Sequence, residues 1–223
     1  MNSGERVRSG AVVALKPIDQ AKSRLGTVPD PLRRQLAWTM AVDTLRALSE
    51  VVEEVLVVSP QGSLRTALLR DGLDIGVIPE PRPLGMNGAL TYGADVLRSY
   101  GCDVVLACVA DLPALRAQSV RRVLTAAAEW PRSFLADASG VGTTMLIAQG
   151  MQAGGALDPH FQGHSAVAHT ASGAVSLTDE LLGGAMPDAR QDVDTEADLR
   201  AATALGPGRA TAALLARSSA GAA

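Results

Sequence analysis

Asp103-Val104-Val105-Leu106-Ala107-Cys108-Val109-Ala110-Asp111-Leu112-Pro113 is the stretch on which the reading of this chain turns. From Val104 to Ala110 no polar side chain interrupts the run. A strand with one wet face alternates apolar and polar residues; a strand buried on both faces does not. The run therefore predicts an interior strand over 103–109, ended by a turn at Asp111-Leu112-Pro113. Ala11 to Leu15 and Glu54 to Val58 have the same character. Helical stretches separate these runs, with Asp30 as expected N-cap and Pro31 as first helical residue of a helix reaching Glu50. Further helices are expected at Ser63–Arg70, Gly88–Tyr100 and Arg116–Trp130. Asp74 to Ile78 reads as a strand stopped by Pro79, Pro81 and Pro83, and Ser133 to Leu135 as a short one. Buried strands alternating with helices imply an α/β fold with a parallel sheet covered on both sides. Beyond it, strands are expected at Thr143–Ala148 and Ala174–Leu177, and helices at Ser165–Thr170 and Thr195–Leu205.

The 223 residues suit one such domain, and 47% hydrophobic residues supply its core. The expected limits are a flexible N-terminus over 1–9, a domain over 10–205, and a flexible or frayed tail over 206–223. A net charge of −3 argues against nucleic-acid binding. No stretch is long and apolar enough for a membrane span, and none resembles a secretory leader. Cys102 and Cys108 flank and occupy one strand, too constrained to bridge, so both are expected to be reduced, as in a cytoplasmic protein.

Ligands of parallel α/β sheets bind at the carboxyl ends of the strands. The chain's only two lysines, Lys16 and Lys22, follow the first strand, with Arg24 beside them; arginine supplies the other 18 cationic side chains. Lysine is a compact point charge suited to phosphate, although surface lysines are also common. Asp111 follows the central strand and suits a hard divalent cation or a turn cap. Asp192 and Asp194 share one side of an extended segment, Asp192-Val193-Asp194-Thr195, where they either bind a cation or precede a helix capped by Thr195 and Asp198. Asp188, set in a turn by Pro187, is a weaker candidate. Gly140-Val141-Gly142-Thr143 and Phe161-Gln162-Gly163-His164-Ser165 suit backbone contact with an anion, or ordinary turns. Asn87 reads as an N-cap or as a reader of a purine or ribose edge. His160, His164 and His169 lack metal-site spacing. No nucleophile elbow or Ser-His-Asp pattern appears.

In this order, Lys16 with Lys22-Ser23-Arg24-Leu25, Gly85-Met86-Asn87, Asp111-Leu112-Pro113, Gly142-Thr143, Phe161–Ser165 with His169, and Asp192-Val193-Asp194-Thr195 resemble the 2-phospholactate / phosphoenolpyruvate guanylyltransferases of deazaflavin coenzyme F(420) biosynthesis. The resemblance covers roughly residues 10–205. It implies a single-domain nucleotidyltransferase (glycosyltransferase-A-like) α/β fold with a mostly parallel, Rossmann-like sheet. It further implies Mg²⁺ on Asp111, Asp192 and Asp194, and catalytic Lys16, Lys22 and Arg24 on the phosphates. GTP would meet Lys16, Lys22, Asn87 and Asp111, and a phosphorylated three-carbon acid would meet Thr143, Gly163 and Ser165. One departure stands out: Gln162 occupies a place where relatives carry glycine, and Gly163 comes one residue later.

The Ala- and Arg-rich, Lys-poor composition resembles that of the phosphoenolpyruvate-using branch. The next enzyme of the pathway is an expected recipient of the product. Cytidylyl- and molybdopterin-guanylyl-transferases share the fold, but their glycine-rich loop after the first strand is missing from Leu15–Leu25. A non-catalytic nucleotide-binding subunit would be expected to have lost an acidic ligand or a loop cation, and this chain has both sets.

Overall fold

Alternate residues of each apolar run part to opposite sides of one sheet. A computed structural model describes residues 7–16, 28–150 and 155–220. Their strands are β1 (Ser9–Ala14), β2 (Glu54–Ser59), β3 (Gly76–Pro79), β4 (Val104–Cys108), β5 (Arg132–Ala136), β6 (Thr143–Ala148) and β7 (Val175–Ser176). The helices are α1 (Asp30–Ser49), α2 (Leu64–Arg70), α3 (Gly85–Ser99), α4 (Ala117–Ala127), α5 (Ser165–Ala171), α6 (Pro187–Arg190), α7 (Glu196–Ala204) and α8 (Arg209–Ala220).

The sheet order is β3-β2-β1-β4-β6-β5-β7. All pairings are parallel except those of β6, which runs against both β4 and β5. Ala11, Val13, Val57, Leu106 and Cys108 face one layer, packed on α1, α2 and α4. Val12, Val58, Val105, Ala107 and Leu146 face the other, packed on α3 and α5. This two-sided burial is what a run without alternation requires. A third cluster joins Leu36 and Met40 of α1 to Val193, Ala202 of α7 and Leu214 of α8.

Several boundaries differ from the sequence reading. Asp30 lies inside α1, where Pro29 takes the cap position and Asp30 pairs with Arg33 instead. Pro79 ends β3 rather than stopping before it, which an edge strand tolerates. At the start of β1, the Ser9 N–H and hydroxyl both donate to the Glu53 carboxylate.

Within the expected tail, Arg209–Ala220 form α8. The Asp43 carboxylate, on α1, accepts from the N–H groups of Ala210 and Thr211 at 2.9 and 2.8 Å and so caps α8 from across the fold. Gly208 lets the chain pass that carboxylate, since a Cβ there would stand 2.6 Å from Asp43 Oδ1. Leu214 then buries against α1. This backing matters because α1 also forms a wall of the cavity described next.

Candidate active site

The carboxyl ends of β1, β2, β3 and β4 open into a cavity of about 540 Å³, within the range of small-molecule sites. Lys16 enters it from the end of β1, Pro60 follows β2, and Glu80 follows β3. Asp111 comes from the end of β4, and Asp192 and Asp194 from the segment before α7. Gly142 and Thr143 stand at the start of β6, which reaches the same rim because that strand is reversed. Gln162, Gly163 and Ser165 complete the wall. Lys22 and Arg24 lie outside the described residues.

The acidic side is built from packed supports. Thr44, buried on α1, accepts from Leu112 N–H at 3.1 Å, and its hydroxyl proton is shared between the Met40 carbonyl at 2.9 Å and the Ala110 carbonyl at 3.2 Å. One hydroxyl thus braces both flanks of Asp111. Val193 N–H donates to the Asp111 carbonyl at 3.2 Å, tying the two acidic segments together. Val193 has no exposed surface and sits in the third core cluster, while Asp192 and Asp194 on either side line the cavity. That is the alternation of an extended chain. Thr195 and Asp198 form a capping box at α7, so the helix start and the paired carboxylates coexist. Asp188 faces elsewhere, accepting from Arg116 N–H at 3.1 Å.

On the opposite side, the hairpin between β5 and β6 is held by Asp137, which accepts from Ser139 Oγ at 2.8 Å and from Val141 N–H at 3.1 Å. Any side chain at Gly142 would overlap that carboxylate. Ala166 N–H donates to the Val141 carbonyl, fixing α5 against the hairpin. Gly163 has φ of +59°, natural for glycine, but Gln162 also takes a left-handed φ of +87°. The residue that replaces glycine therefore keeps a glycine-like conformation.

The N-cap reading of Asn87 is corrected by the structure. The residue neither caps α3, which begins at Gly85 with Leu84 in the cap position, nor lies among the lining residues of the cavity. Its amide nitrogen donates to the Phe161 carbonyl at 3.2 Å, and its amide oxygen accepts from Phe161 N–H at 2.8 Å. Both polar atoms hold the Phe161 loop from behind.

The reading from residues overlooked Glu80, Trp38 and the support given by His169. Glu80 was findable, because the rule that selected Lys16 and Asp111 applies equally to the end of β3. Its Oε2 accepts from Leu84 N–H at 3.2 Å. Trp38 lines the cavity while its indole N–H donates to Asp71 at 2.7 Å, a contact between distant segments that carries no local signal.

Cys102 and Cys108 are free and buried. Burial, and secondarily the charge of Asp111, pushes the Cys108 thiol up, leaving it neutral packing material. His169 is wholly buried among Phe134, His160 and Phe161. Burial first, then the proximity of His160 and Arg132, lowers its pKa from 6.5 to about 4. The unfolded chain therefore binds the extra proton more readily between these values. Stability from this group is complete above pH 6.5 and falls by about 3 kcal/mol as pH drops to 4. Thermal melts from pH 7 to 4 are expected to fall more steeply for the native protein than for His169→Asn; parallel curves would refute this.

Four carboxylates and one lysine line the cavity among the described residues: Glu80, Asp111, Asp192 and Asp194 against Lys16. The donors are all hard oxygens, suited to a divalent cation such as Mg²⁺ or Ca²⁺ rather than zinc. No three His, Cys, Asp or Glu side chains among the described residues form a ready cage for a metal. Such a set fits an ion that takes one or two carboxylates and completes its shell with water and substrate phosphate.

Residues 23–164 match the MobA-like NTP transferase domain. The phosphoenolpyruvate guanylyltransferase of Streptomyces avermitilis is 48% identical over 92% of this chain and 93% of its own length. That of Streptomyces coelicolor is 44% identical over 92% and 95%. Among solved structures, a nucleotidyl transferase from Methanothermobacter superposes with a TM-score of 0.57 at 20% identity, covering 89% of this chain and 97% of that one. These agreements in fold and in sequence place the chain within the phosphoenolpyruvate guanylyltransferase family, built on the MobA-like NTP transferase domain.

Proposed function

We propose that this chain joins GMP from GTP to the phosphate of phosphoenolpyruvate, releasing pyrophosphate, in biosynthesis of coenzyme F(420). The observation that carries the reading is the single cavity in which Lys16, Asp111, Asp192 and Asp194 face Thr143, Gly163 and Ser165. It has a charged side for a triphosphate and a side of glycine and hydroxyl groups for a small anion. The names of relatives 40–48% identical to this chain support the same substrates.

A phosphate oxygen of the acceptor attacks the α-phosphorus of GTP in line. The bond from that phosphorus to the β-phosphate bridge breaks, and pyrophosphate leaves. The acceptor oxygen is already an anion, so no base need remove a proton. Among the described residues that line the cavity there is no histidine or cysteine. What the protein must do is align two polyanions and offset their repulsion. Lys16, with Lys22 and Arg24, would neutralise the triphosphate. Asp111, Asp192 and Asp194 would offer the carboxylates for Mg²⁺, one or two of them binding it directly, and the ion would supply charge neutralisation at the reacting phosphates. Thr143, Gly163 and Ser165 would seat the acid, and Asn87 would set the Phe161 loop rather than read the base. The product is enolpyruvoyl-diphospho-guanosine.

Buried free thiols at Cys102 and Cys108 support a reducing compartment, the cytoplasm. No helix among the described residues is long and apolar enough to cross a membrane.

The test is pyrophosphate release from GTP and Mg²⁺ with phosphoenolpyruvate, with 2-phospholactate, or with neither. Release with phosphoenolpyruvate alone is expected. Release only with 2-phospholactate would reassign the acceptor. Release with neither, even after addition of the next enzyme of the pathway to draw off product, would overturn the reading.

A further inference from the structure

We propose that His169, held as its Nδ1–H tautomer, makes the Thr143 hydroxyl an obligate hydrogen-bond donor toward the anionic acceptor. The proposal rests on the placement of the acceptor at Thr143 given above and adds how that contact is set.

Both ring nitrogens of His169 are engaged. Nε2 lies 2.9 Å from the backbone nitrogen of His160, and Nδ1 lies 2.9 Å from Thr143 Oγ1. A peptide N–H can only donate, so Nε2 must accept and carries no proton. A neutral imidazole has one ring proton, which therefore sits on Nδ1, where Thr143 Oγ1 and the Ser165 carbonyl, one helical turn earlier, share it. Thr143 Oγ1 accepts that bond. Its own proton must point elsewhere, and no acceptor among the described residues takes it. Thr143 lines the cavity, so the direction left for a donated bond is toward a ligand. A hydroxyl free to rotate could offer either a proton or a lone pair; this one offers a proton.

The ring cannot readily turn over to reverse these roles. Phe134 and Phe161 stand 5.6 and 5.3 Å from it, centroid to centroid, and His160 stands 5.8 Å away. The hydroxyl's orientation is thus fixed before the ligand arrives, which is where preorganised donors gain their strength. A phosphate or carboxylate oxygen, which only accepts, fits such a donor. A group that presents its own proton does not. His169 touches no substrate in this scheme; it is a positioning residue acting through Thr143.

Two experiments test this. The first reads the His169 ring by proton–nitrogen correlation NMR on the native protein at neutral pH. The Nδ1–H pattern is expected, and an Nε2–H pattern overturns the proposal without any variant. The second is a double-mutant cycle. Thr143→Val is expected to raise the KM for phosphoenolpyruvate about tenfold or more, with the KM for GTP changed less than about twofold. His169→Leu should produce a similar rise alone and less than about twofold when added to Thr143→Val. His169→Asn, whose amide N–H can replace Nδ1–H, should recover most of the loss. Additive effects of the two sites would overturn the inference alone. An unchanged KM in Thr143→Val would overturn both the inference and the placement of the acceptor. Calorimetric affinity for phosphoenolpyruvate, in the presence of a non-reacting GTP analogue, gives the same cycle if turnover is absent or His169→Leu melts early.

Discussion

Asp192→Asn is expected to reduce guanylyl transfer by about a thousandfold, near 4 kcal/mol in transition-state stabilisation, while the protein remains folded. The substitution keeps size and shape and removes one charge. What anchors this segment is its neighbour, since Val193 is buried against Leu36 and Met40 and donates to the Asp111 carbonyl. The helix that follows is capped by Thr195 and Asp198. Neither support uses the charge of Asp192. On the proposed reaction, a cavity with several carboxylates takes up two polyanions, and a divalent cation would offset the repulsion. Turnover measured across Mg²⁺ concentration, beside a thermal melt, checks both halves. Partial recovery at high Mg²⁺ would agree with weakened metal binding. Unchanged turnover at all concentrations would remove Asp192 from the proposed metal ligands.

Gly93→Ala should be the most damaging of the small changes in the core, at about 3 kcal/mol or roughly 6–12 °C in melting temperature. At Gly93, α3 packs directly on Val12 of β1 and Val58 of β2. A Cβ there would stand 2.8 Å from Val58 Cγ2 and closer still to Val12 Cγ2. Valine is stiff about χ1, and both partners are fully buried, so neither can swing aside. Alanine's better helix propensity returns only about 1 kcal/mol. Adding Val12→Ala should relieve the clash, making the double variant more stable than Gly93→Ala alone. A double variant no more stable would show that the penalty has another source.

The strands, the carboxylate at the end of β4 and the pair around Val193 could all be read from residues, because each depends on local pattern. The reversal of β6 could also have been inferred. Ala136 and Thr143 are too close in sequence for a crossover, and strands joined by so short a link must be antiparallel. Other features had no such signal. Asp43 caps a helix 167 residues away, and Asn87 grips a loop 74 residues away. The residue types suggested an N-cap for Asn87 because side-chain amides commonly serve there; tertiary packing assigned it differently. His169 read as neither metal ligand nor base, and only the peptide N–H of His160 reveals which of its nitrogens carries a proton.

The reversed strand has a consequence for how the two substrates are measured. Lys16 and Asp111 sit on connections that leave their strands. Thr143 belongs to a strand, in register with Ala136 on one side, while Val109 N–H bonds to the neighbouring Thr144 carbonyl on the other. One end of the cavity is thus a fixed gauge, ruled by the spacing of the sheet, and the other is assembled from connecting segments. A flexible triphosphate can be gathered by groups of the second kind. On the acceptor placement proposed above, a three-carbon acid, differing from its neighbours by an atom or two, would be sized against the first.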